Sequence, residues 1–90
     1  MINWQFLFSN DSIKFLKRNN LPENKVVYYL SQSIKKLQGE NTNVDLRKMK
    51  GEWDGFFRIR TGKIRIIFKI NFPIKQIYID QIDYRGDVYK

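Results

Sequence analysis

Between positions 56 and 70 the chain carries five cationic side chains, Arg58, Arg60, Lys63, Arg65 and Lys69, and no Asp or Glu. A water-facing strand surface normally mixes both signs. Arg outnumbers Lys in this stretch although Lys outnumbers Arg in the whole chain. The planar guanidinium fork matches phosphate oxygens two at a time, so the preference points to a polyanion rather than to solubility alone. Guanidinium groups hold their protons at all physiological pH values, so they can neutralise charge on a phosphate but cannot act as bases. A second group follows at Asp83-Tyr84-Arg85-Gly86-Asp87-Val88-Tyr89. There Tyr84 and Tyr89 have little around them to bury and are candidates for stacking on a base. Trp4, Trp53, Tyr28, Tyr29 and Tyr78 read as packing residues, because a small core needs large aromatics. Asp80, Asp83 and Asp87 sit among cations without the spacing of a calcium loop, so no metal site is expected.

The remaining composition narrows the chemistry further. The chain has neither cysteine nor histidine, which removes thiolate nucleophiles, zinc-thiolate sites, disulfides and the commonest acid-base group. Ninety residues suit a single domain, and a formal charge of +8 makes an anionic partner the first expectation. Apolar residues at 42% and charged residues at 29% are globular proportions, too interrupted for a membrane span. The N-terminal residues lack a basic n-region and a small-residue cleavage site, so a cytoplasmic protein is expected.

The elements that must position these groups follow from periodicity. Residues 2–8 alternate, with Ile2, Trp4, Phe6 and Phe8 on one face, which predicts a strand. Ser9 or Asn10 can cap a helix whose buried side is Ile13, Phe15 and Leu16 and which breaks at Asn19-Asn20. Pro22 suits the first turn of a second helix, along which Val26, Val27, Leu30, Ile34 and Leu37 recur at helical spacing until Gly39 ends it. Residues 39–52 are polar, with isolated Val44, Leu46 and Met49, and predict a connection without regular structure. The period then becomes two over 56–60, 64–70 and 74–82, with breaks at Thr61-Gly62 and Asn71-Phe72-Pro73, and a short extended piece at 87–89. Grouped helices followed by a three-stranded meander predict an α+β fold, β-α-α-β-β-β, with two N-terminal helices on one face of a small antiparallel sheet.

A tight turn at Thr61-Gly62 pairs Arg60 with Lys63, Arg58 with Arg65 and Phe56 with Ile67; a bulged three-residue loop would shift this by one. In the first register Phe57, Ile59, Ile64, Ile66 and Phe68 face the helices, and Arg58, Arg60, Lys63, Arg65 and Lys69 share the opposite, water-facing side. Like charges directly across a ladder oppose each other by roughly 0.2–1 kcal/mol per pair. Stability alone would not select that arrangement.

The runs Leu46-Arg47-Lys48-Met49-Lys50-Gly51, Phe57-Arg58-Ile59-Arg60-Thr61-Gly62-Lys63-Ile64-Arg65-Ile66-Ile67-Phe68 and Ile82-Asp83-Tyr84-Arg85-Gly86-Asp87-Val88-Tyr89, in this order, resemble the RelE/ParE superfamily of toxins from type II toxin-antitoxin pairs. The likeness covers residues 44–90 in motif and residues 1–43 in layout. It implies one RelE-like toxin domain over residues 1–90. It also implies a choice between a metal-independent endoribonuclease that cuts mRNA on the ribosome and a ParE-like inhibitor of DNA gyrase or an inactive binding module. Arg58, Arg60, Arg65, Arg85 and Tyr89 match the catalytic set of the RelE-like branch and favour the nuclease. Tyr84 stands where many relatives have His, and Phe57 and Ile64 where Tyr is usual. The same reading expects Lys48, Lys50, Lys63, Lys69 and Tyr84 to be the accompanying RNA contacts. The resemblance further implies an antitoxin with an acidic C-terminal segment, operator DNA met only through that antitoxin, no cofactor, and no membrane partner.

Overall fold

The computed structural model describes residues 3–84. Its elements run β1 (Gln5–Phe8), α1 (Asn10–Arg18), α2 (Glu23–Leu37), β2 (Asp45–Lys48), a single 3-10 turn (Gly51–Trp53), β3 (Phe57–Thr61), β4 (Ile64–Asn71) and β5 (Gln76–Tyr84). The strands form one mixed sheet in the order β1-β5-β4-β3-β2. β2 to β5 pair antiparallel, and β1 pairs parallel with β5 along Gln5 to Gln76 through Phe8 to Ile79. Among the described residues no helix is long and apolar enough to cross a membrane.

Both helices lie on one face of the sheet, as the sequence predicts. Leu16 from α1 and Val26, Leu30 and Ile34 from α2 pack with Ile59, Ile66, Phe68, Ile77, Ile79 and Ile82, all buried. Four residues expected inside lie outside: Ile13 and Leu37 are exposed at the margins of their helices' apolar stripes, Tyr28 is exposed on α2, and Tyr78 is exposed on the outer face of β5 opposite Lys69. The helix ends follow local chemistry. Ser9 is the N-cap of α1 and accepts from the Ser12 N–H at 3.1 Å. Gly39, at φ +91°, reverses the chain after α2, with the Glu40 N–H donating to the Lys35 carbonyl at 2.9 Å and the Gly39 N–H to Lys36 at 3.1 Å. That is a Schellman closure, which favours glycine because only it lacks a Cβ to clash.

Three corrections concern the sheet. Residues 45–48 are a strand rather than part of an irregular connection, because Asp45 to Lys48 find partners in Arg60 to Phe57 at what would otherwise be an open edge. The hairpin turn is Gly62-Lys63, with Thr61 facing Ile64 and Gly62 at φ +56° in the first turn position, as a type II′ turn requires. The register is therefore two residues away from the expected one, and Arg60 faces Arg65 while Arg58 faces Ile67. A shift of two keeps every side chain on its predicted face. The last strand begins at Gln76, not 74; Ile74 lies exposed in the preceding turn.

β5 also contains a bulge that a uniform period of two over 74–82 leaves out. Ile67 faces Gln81 and Phe68 faces Ile79, which leaves Asp80 as an extra residue. Ile77 and Ile79 point inward before it and Ile82 after it. The bulge carbonyls are tied to the start of α1: the Ser9 hydroxyl donates to Asp80 O at 2.6 Å and the Ser9 N–H to Ile79 O at 3.0 Å.

Candidate nucleic-acid interface

The sheet face turned away from the helices is organised in rows across the strands. One row reads Asp45, Arg60, Arg65, Asp83 from β2 to β5, and the next reads Arg47, Arg58, Ile67, Gln81. Lys69 lies further along β4, facing Tyr78, which in turn faces Leu7. The stretch 56–70 lacks carboxylates, but the flanking strands supply one at each end of the Arg60–Arg65 pair. Asp83 reaches this face only because the Asp80 bulge reverses the alternation of β5. Without it, Asp83 would fall in step with Ile77 and Ile79 and point to the core.

This arrangement corrects the expectation that Arg65 is solvated. Arg65 is 8% exposed, with Nε 3.4 Å from Asp83 Oδ1 and Nη2 donating to Oδ2 at 3.5 Å. Gln81 holds the same carboxylate through a donated bond of 3.1 Å to Oδ2. Burying a guanidinium is costly unless an anion and hydrogen bonds accompany it, and Asp83 supplies both. Arg58 and Arg60 are half-buried, and Ile67 on the same face is fully buried. The arginine face is thus a partly desolvated, positioned cluster. In such a setting an electrostatic contact to a phosphate is stronger than in open water.

The structure gathers some of the predicted site residues and separates others. Arg58, Arg60 and Arg65 come together. Lys69 shares their face, its Nζ 5.3 Å from the centre of the Phe56 ring, which itself meets Trp53 edge-on. Lys63 is exposed in the turn beside them, and Lys50 is exposed just before the 3-10 turn. Lys48 pairs with Phe57, so it falls in step with Leu46 and Ile59 on the helix side. Tyr84 also lies toward the helices: its hydroxyl donates to the Asn19 side-chain oxygen, and its ring packs against Phe15 at 5.2 Å. It is therefore not a spare aromatic on the arginine face. Arg85 and Tyr89, and with them the extended piece at 87–89, lie outside the described residues. Sequence reasoning missed Arg47, which faces Arg58, the carboxylate of Asp45 at one end of the row, and the pairing of Asp83 with Arg65 at the other. Alternation within 45–47 and the uneven spacing of Ile77, Ile79 and Ile82 are the signals that carry them. Among the described residues no group of three or more Asp or Glu is placed to hold a metal ion.

Two helices on one face of a five-stranded mixed sheet give an α+β fold of the kind seen in solved RelE-like toxin structures. No protein-family model matches the chain, and no curated protein matches it in sequence. Solved structures do match. The chain is similar to the RelB-RelE antitoxin-toxin complex from Methanococcus jannaschii, with a TM-score of 0.62 and 23% identity over 92% of this chain and 94% of that one. It is also similar to a metal-bound toxin from Helicobacter pylori (TM-score 0.67, 14% identity, 94% and 98% covered). A point mutant of YafQ from E. coli matches as well (TM-score 0.64, 13% identity, 98% and 100% covered).

Proposed function

We propose that this chain is the toxin of a type II toxin-antitoxin pair and acts as an endoribonuclease on mRNA at the ribosome. The observation that carries the reading is the cluster of Arg58, Arg60 and Arg65 on one partly buried sheet face, with Arg65 fixed by Asp83. Cutting RNA with its own 2′-OH as nucleophile requires a group to take that proton, cations to stabilise the extra negative charge on the phosphorane, and an acid for the departing 5′-oxygen. The arginines meet the second need with permanent charges whose positions are set before substrate arrives. Tyr89 is the proposed base and Arg85 a further cation for the phosphate; a tyrosine brought beside guanidinium groups is favoured as a phenolate. An antitoxin with an acidic segment suits a face on which, among the described residues, Arg47, Arg58, Arg60, Arg65 and Lys69 outnumber the carboxylates Asp45 and Asp83.

Induction in a host cell with mapping of RNA 5′ ends tests the reading. Cuts within translated frames are expected; intact messages with broken chromosomes would replace the nuclease with a gyrase inhibitor. Tyr89→Phe keeps the ring and removes the oxygen. Cleavage is expected to fall about 10²–10⁴-fold with ribosome binding nearly unchanged. Normal cutting by this variant would move the base elsewhere, first to Lys63 or Asp83.

A further inference from the structure

Beside the arginine face, at the end of the sheet where β3 finishes and β2 begins, a pocket of about 290 Å³ opens between the strands and α2. Its lining includes Tyr28, Tyr29, Gln32, Asn43, Asp45 and Arg60. We propose that it receives an unpaired nucleobase of the bound RNA, next to the nucleotide whose phosphate the arginines hold. This rests on the reading of the chain as an RNA-cutting toxin and adds a specificity subsite to it.

Several features of the pocket fit a base better than they fit core packing. Tyr28 is 59% exposed, so its ring contributes little to stability where it stands, yet it meets the half-buried Tyr29 ring edge-on at 5.7 Å and is steadied by it. A steadied, open aromatic face is what a base stacks on. The amides of Gln32 and Asn43 offer donors and acceptors of the kind that read base edges. The wall opposite α2 is held to that helix: Lys36 Nζ donates to the Val44 carbonyl at 2.8 Å, and the Thr42 hydroxyl to the Gln32 carbonyl at 3.3 Å. A cavity with tethered walls costs less to order on binding. Finally, Arg60 and Asp45 belong both to this lining and to the charged row of the sheet. A phosphate held at Arg60 therefore lies beside the pocket lining.

The test uses the full chain and a short oligoribonucleotide with 2′-O-methyl ribose throughout, which binds but cannot be cut, in versions with one abasic site moved along the strand. Wild type is expected to lose about tenfold in affinity when one particular position is abasic. Tyr28→Ala should bind the intact strand about tenfold more weakly and be indifferent to that position, while Tyr28→Phe, which keeps the ring, behaves as wild type. The melting transition of all three should coincide, since Tyr28 is exposed. If Tyr28→Ala binds every oligonucleotide as wild type does, or loses affinity evenly at all positions, there is no base subsite. Loss of a protein partner with RNA binding untouched would make the pocket a protein contact and equally overturn the proposal. Arg58→Ala separates the two levels. If it weakens binding and Tyr28→Ala does not, only the subsite fails; if neither variant weakens binding, the RNA reading itself fails.

Discussion

The two faces of β4 solve opposite problems with adjacent residues. Ile66 and Phe68 point inward and are buried among aliphatic side chains from both helices and three strands. Arg65 and Ile67, one residue away from each, point outward and are nearly as buried, yet Arg65 is buried beside another arginine, with the Asp83 carboxylate to hold it. The inner face gains stability from every residue it buries. The outer face sets the Arg60–Arg65 repulsion against the Arg65–Asp83 attraction and gains a fixed array of charge. Low exposure therefore means two different things on the two sides of one strand.

Substitutions on the two sides should separate these roles. Phe68→Ala, which empties the centre of the inner face, is expected to cost about 3–5 kcal/mol and leave a chain that unfolds near room temperature; chemical denaturation measures it. Arg58→Ala, on the outer face, should lower RNA cleavage about 10²–10³-fold with an unchanged melting curve, because it removes charge stabilisation and relieves repulsion from Arg47. A melting shift large enough to account for the lost activity would erase the distinction between the faces. Arg65 should behave differently from Arg58. Arg65→Ala and Asp83→Ala each leave a partly buried charge without its ion-pair partner and destabilise the fold, whereas the double variant recovers part of the loss. A double-mutant cycle with a coupling near zero would show that the contact is only a proximity. The smallest effect belongs to Arg47, whose 3.9 Å contact to Asp45 is exposed. Arg47→Ala should change stability by less than about 0.5 kcal/mol. It should still reduce the salt dependence of RNA binding by about one counterion.

The contrast between faces also explains what could be read from the sequence. Both helices, the Ser9 cap, the Gly39 closure and the two sides of the β3–β4 hairpin are legible because each follows from local chemistry or from a period of two or 3.6. β2 is not, since Asp45 to Lys48 are strand residues only by virtue of the β3 edge beside them. The register of the hairpin needs the turn type, and Thr61-Gly62 and Gly62-Lys63 are both acceptable turn pairs on composition. Asp83 is hidden for a subtler reason: its side of the sheet depends on a single extra residue, Asp80, whose carbonyl is satisfied by Ser9 from the other end of the described chain. Tyr84 follows Asp83 in sequence and alternates away from it, and so it meets Asn19 and Phe15 instead of the arginines.

The parallel pairing of β1 with β5 has a consequence in time as well as in space. A chain made from its N-terminus produces β1 first and must wait for the strand that pairs with it until every other described element has been synthesised. Until β5 arrives, Phe6 and Phe8 lack the neighbouring strand they finally pack beside, α1 lacks the strand it chiefly packs on, and Arg65 has yet to meet Asp83. Contacts between such distant positions close late because the intervening loop must first lose its freedom. The arginines of β3 and β4 can therefore meet the Asp83 carboxylate only once β5 has been made, and a partner that reads the completed row has no target before then.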